Sequence, residues 1–167
     1  GQHKMALQAS TLEKELLLIA DQASANTTGP AAAIAVATRT YGAEMMFPPP
    51  VGLGAAYNAQ KDILESIPLS PPVGSVPLIE LSFQVWAMQI MAGYPANPAD
   101  GMGVPTIAPA GTPSLATIFS SSDSSKTKAI QMAVVIDTWV RSGTYDNGFL
   151  TFPGGSPTVT PIIVPWS

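Results

Sequence analysis

Charged side chains are scarce in this chain, and no other feature narrows its folding options as much. Asp, Glu, Lys and Arg supply 11% of the 167 residues, against roughly 25% in ordinary soluble domains. A surface with so few ions is either covered by Ser, Thr, Asn, Gln, Gly and Pro or buried against other subunits. The apolar share is ample. At 46% it can fill the core of one domain of this length. The expected outcome is a subunit that associates with copies of itself or with other proteins.

The charges that do occur exclude several partners. The formal net charge is −4, and the basic residues Lys4, Lys14, Arg39, Lys61, Lys126, Lys128 and Arg141 lie apart from one another. No basic run exists to neutralise a phosphate backbone or an anionic lipid surface, so nucleic acid is not an expected partner. The absence of cysteine removes disulfides, thiolate metal sites and a cysteine nucleophile. The apolar stretches Ala31 to Ala37 and Val85 to Ala92 are far short of the ~20 residues that span a bilayer. No signal peptide is expected, since no basic and apolar pair of regions opens this sequence. A virion or cytoplasmic location suits these features. Residues 1–5, Gly1-Gln2-His3-Lys4-Met5, read as a cloning remnant before a native start at Met5. The single histidine, His3, is therefore set aside.

Prolines and caps divide the remainder into helices and extended segments. Ser10-Thr11-Leu12-Glu13 has the spacing of a capping box. Leu12, Leu16, Ile19 and Ala23 then repeat on one helical face, widened by Leu17 and Leu18. Residues 25–29 end that helix. Pro30 suits a first turn, and Ala31 to Tyr41 reads as a second helix, with a strand as the alternative. Pro48-Pro49-Pro50 forbids its continuation. A third helix runs from Gly54 or Ala55 to Ser66, before Pro68.

Leu78 to Ala92 is ambiguous. Ile79, Leu81, Phe83 and Val85 alternate with polar residues as in a strand. The segment is long for a strand, however, and lacks internal glycine and proline, so a buried helix is expected. Ser114 to Phe119 forms a short helix. Lys126 to Arg141 forms the last one, capped by Asp123 or a neighbouring serine. The expected fold is mainly α, with four to five helices and Pro/Gly-rich connecting arms. A single helical domain covers residues 6–148. Residues 149–167 form an extended arm whose prolines confine any strand to a sheet edge. Tyr41, Tyr94 and Tyr145, each near a glycine, are spaced about 52 residues apart. They suggest a weak repeat of helical hairpins.

Catalytic chemistry finds little support. Asp62 and Glu65 share a helix face, but Lys61 beside them favours a solvated surface over a metal or acid–base pair. Glu80 lies on an otherwise apolar helix and is expected to share an exposed stripe with Gln84. Gly52-Leu53-Gly54 and Gly101-Met102-Gly103 lack the third glycine of a nucleotide loop. No enzyme, cofactor or metal site is expected. The interaction candidates are the apolar residues of the arm, Ile162, Ile163, Val164 and Trp166, with Trp86 and Met88 on the ambiguous helix. Together these readings favour a self-assembling structural subunit, of which a virion head or tail component is one kind. The alternative is a monomeric adaptor whose methionines line an apolar groove.

Overall fold

The structure is a computed structural model that describes residues 6–24 and 30–167. The expected cloning remnant, with His3, and the expected helix-ending segment 25–29 lie outside the described residues. Among the described residues there are six α-helices, one more than the upper expectation. They are α1 (Ala9–Ser24), α2 (Ala33–Gly42), α3 (Leu53–Leu64), α4 (Val76–Met91), α5 (Ala116–Ser120) and α6 (Ser125–Val140). The protein is mainly α, with a small β region following α6.

The helices pack side by side. α1 lies between α6 and α2, α2 packs on α3, and α3 packs on α4. Leu12, Leu16 and Ala20 recur every four residues on α1, and all three are buried. That spacing keeps them on one side of a 3.6-residue helix. Leu18, off the stripe, is exposed. Helix α1 starts at Ala9, so Ser10 sits inside its first turn instead of preceding it. The first turn is closed by Thr11 N–H donating to the Gln8 carbonyl at 3.0 Å. Helix α6 has a side-chain cap, because Ser124 Oγ accepts from Thr127 N–H at 3.2 Å.

The ambiguous segment is helical. Pro77 occupies the first turn of α4, where its missing N–H costs nothing. The helical period turns Ile79, Phe83, Trp86 and Ile90 inward. Glu80 does not join an exposed stripe. Its Oε2 accepts from Leu115 N–H at 2.7 Å, tying α4 to the loop before α5.

Four short strands follow α6. β1 (Thr144–Asp146) pairs antiparallel with β4 (Ile163–Pro165), with Tyr145 opposite Val164. β2 (Phe149–Thr151) pairs antiparallel with β3 (Thr158–Thr160). Ile107 bridges Thr144 on the other side of β1, so β4 forms the outer edge, where Pro165 is tolerated. The segment 149–167 thus carries three strands, β2 and β3 paired with each other and β4 paired with β1 next to α6. The three tyrosines that mark the expected repeat occupy unlike positions. Tyr41 is buried in the helical core, whereas Tyr94 and Tyr145 meet edge to face at 5.5 Å near the β region.

Candidate interaction surface

The six sequence-derived candidates divide between core and surface. Trp166 is fully buried in its own chain. Its Nε1 donates to the Thr144 carbonyl at 3.1 Å, and its backbone N–H donates to Gly143 at 2.9 Å. The next residue is held as well. The Ser167 carbonyl accepts from Met46 N–H at 2.7 Å and from Phe47 N–H at 3.1 Å. Trp86 is also fully buried, and its Nε1 has no partner among the described residues. Val164 is partly covered. Ile162, Ile163 and Met88 are exposed.

Met88 is part of a larger surface. On the outer side of α4, Leu78 (47% exposed), Leu81 (39%) and Met88 (49%) stand in a row, with Val85 half-buried between them. Their alternating three- and four-residue spacing keeps all four on one helix face. Val73, at 79%, precedes that face in the chain. The only ionisable side chain of α4 is Glu80, and it is engaged with Leu115. The outer face therefore presents aliphatic side chains and glutamine amides with no charge. Apolar area in such a row gains roughly 25 cal/mol per Å² when covered. A second exposed apolar group, Phe149, Phe152, Ile162 and Ile163, belongs to the β region.

Among the described residues the methionines do not gather in one groove. Met45, Met102 and Met132 are buried, while Met46 and Met88 are exposed. Met132 lines a cavity of about 190 Å³ between α1 and α6, whereas Met102 lines a separate one beside β1. Asp62 and Glu65 do not converge on a ligand. Glu65 pairs with Lys61 at 3.4 Å on the surface of α3. No three metal-ligating side chains come together among the described residues. No helix among them is long and apolar enough to cross a membrane.

Two polar arrangements inside the fold join residues that were not expected at a site, although the i, i+4 spacing of Asp137 and Arg141 predicts the ion pair within the second. Asp146 is 2% exposed. Its Oδ1 accepts from Gly148 N–H and Ile162 N–H, and its Oδ2 from Val104 N–H, each at 2.9 Å. Burial by itself raises this carboxyl's pKa, but the donors from Ile162, Val104, Gly103 and Gly148 outweigh it and hold the group below its ordinary value. The carboxylate thereby staples the loop before α5, β1 and the chain leading into β4. The signal in sequence was Asp146-Asn147-Gly148, a turn sequence in which Asp bonds to nearby backbone. The second arrangement joins Tyr41, Asp137, Arg141 and Leu7. The Tyr41 hydroxyl donates to Asp137 Oδ1 at 2.5 Å. Arg141 Nε donates to Asp137 Oδ2 at 2.9 Å, and Arg141 Nη2 donates to the Leu7 carbonyl. Burial first, then the bond to Asp137, drives the Tyr41 hydroxyl well above the usual phenol range.

No known protein family, curated protein or solved structure matches the chain.

Proposed function

We propose that this protein is a structural subunit that assembles with copies of itself through the outer face of α4. The observation that carries the reading is the charge-free row Leu78, Leu81, Val85 and Met88 on a helix whose one carboxylate faces away from it. A heterologous partner is commonly selected by complementary charge at the rim. A face without charge is compatible with its own copy, as a two-fold contact requires. The low share of charged residues, 11%, favours the same reading. The exposed β-region residues Ile162 and Ile163 supply a second surface for a larger assembly. A virion head or tail component is the type of assembly that fits a low-charge, proline-braced subunit.

Sedimentation velocity tests this reading. At micromolar concentration the protein should sediment as an oligomer. Leu81→Glu and Met88→Glu should shift it toward the monomer without loss of helical circular dichroism, because both positions are on the surface. A wild-type monomer throughout the micromolar range would exclude assembly by this face.

A further inference from the structure

Beside β1 lies a cavity of about 500 Å³, lined among others by Tyr94, Asn97, Asp100, Tyr145, Asp146 and Asn147. Two rigid loops frame it. In the first, Asn97 and Met102 bond reciprocally, with Asn97 N–H donating to Met102 at 2.7 Å and Met102 N–H returning at 3.1 Å. The Asn97 side chain caps the enclosed turn at Ala99 N–H, 3.1 Å away, and donates to Asp100 Oδ2. The second loop, residues 146–148, is locked by the Asp146 carboxylate.

The loops meet at Gly101 and Gly148. A Cβ on Gly148 would fall 2.8 Å from the Gly101 carbonyl oxygen, so the contact needs glycine there. The aromatic wall is also fixed. Tyr94 donates its hydroxyl to the Pro49 carbonyl. The Tyr145 ring meets Tyr94 edge to face and stacks on Phe47 with centroids 6.0 Å apart. A site whose walls are braced in this way needs little reorganisation to bind.

The charge around the cavity has one sign. Asp100 and Asp146 contribute carboxylates, and among the described residues no lysine or arginine lines it. Asp146 is satisfied by backbone dipoles with no cation beside it. Among the described residues, the second oxygen of Asp100 and the hydroxyl of Tyr145 have no hydrogen-bond partner. Faces of aromatic rings, with carboxylates nearby, attract a cation through the ring quadrupole and through Coulomb attraction. We propose that this pocket binds a small organic cation of the alkylammonium type, with its alkyl groups against Tyr94 and Tyr145 and its charge toward Asp100. The proposal is independent of assembly through α4, since no residue of that helix lines the pocket.

The test uses the full-length protein and tetramethylammonium as the probe, at constant ionic strength. Tert-butanol serves as a neutral analogue of similar shape, and methyl glucoside as a neutral polyol. Binding is followed by NMR of the tyrosine rings. Tetramethylammonium should perturb Tyr94 and Tyr145, and neither neutral compound should match it. Asp100→Asn, at an exposed position, should weaken binding about fivefold or more, as expected for one nearby charge. Its melting temperature should stay close to that of the wild type. Tyr145→Leu provides a second variant that removes the ring. Three results would overturn the proposal: equal binding of either neutral compound, unchanged affinity in Asp100→Asn, or no perturbation by the cation at tens of millimolar.

Discussion

Gly143 and Trp166 are in such close contact that no side chain fits between them. A Cβ at position 143 would lie 2.8 Å from both Cδ2 and Cε2 of the indole, and 2.9 Å from Cδ1. The Gly143 carbonyl meanwhile accepts the backbone N–H of Trp166. The last core residue in the sequence is therefore seated on bare backbone at the end of α6.

Gly143→Ala should overpack this contact and cost about 1–3 kcal/mol. In a chain of this length that lowers the melting temperature by several degrees, at roughly 2–4 °C per kcal/mol. Trp166→Ala should cost about 3–5 kcal/mol through the cavity left behind. Differential scanning calorimetry measures both. If Gly143→Ala melts with the wild type, the indole does not occupy this seat.

Asp146 gives the fold an acid dependence of known sign. Its carboxyl is held below the ordinary value in the folded protein, so the native state binds the proton less readily than the unfolded chain. The stabilisation is complete above the unfolded value of about 3.9. It is lost as the pH falls through the lower folded value. Urea midpoints should fall across that acidic window in the wild type. Asp146→Asn should flatten that part of the profile. It should also cost about 3 kcal/mol near neutrality, because an amide nitrogen would face a backbone donor. Parallel acid profiles for the two proteins would show that the carboxylate is not the group responsible.

Tyr41→Phe should cost about 1.5–3 kcal/mol, the usual range for a hydrogen bond to a charged group. The change leaves Asp137 with Arg141 as its side-chain partner. The hydroxyl's raised pKa has a consequence at the alkaline end. Tyr41 favours the folded state fully below the unfolded phenol value of about 10. That preference disappears as the pH rises above this value, since the unfolded chain then ionises and the folded one does not. Ultraviolet titration should find one of the four tyrosines resisting ionisation until the protein unfolds. If all four ionise together in the folded protein, Tyr41 is not buried against Asp137.

The helical architecture was legible because its signals are local. Pro77 starts α4, and segment length separated helix from strand where alternation alone pointed the wrong way. The serine cap of α6 was readable for the same reason. The first helix began earlier than its capping-box spacing implied, because Gln8 closes the first turn through its backbone carbonyl. The candidate surface was only partly legible. Met88 was singled out, but Leu78 and Leu81 became its neighbours only once the helical phase was known. In the arm, neighbouring apolar residues have opposite fates. Trp166 turns inward to Gly143 while Ile162 and Ile163 remain outside, a choice made by a contact more than twenty positions away in sequence. Glu80 and Asp146 likewise find backbone donors on distant segments, and periodicity carries no information about such pairings.

The seat of Trp166 also imposes an order on folding during synthesis. A ribosome completes all six helices before it adds this residue, and chains fold from the N-terminal side as they emerge. Until Trp166 arrives, the backbone at Gly143 and the β1 strand beside it have no indole to cover them. The final closure joins segments far apart in sequence, from Met46 and Phe47 to Ser167. Contacts of such long range form slowly. The interval before closure is when the chain is most open to capture by a chaperone or by a neighbouring copy.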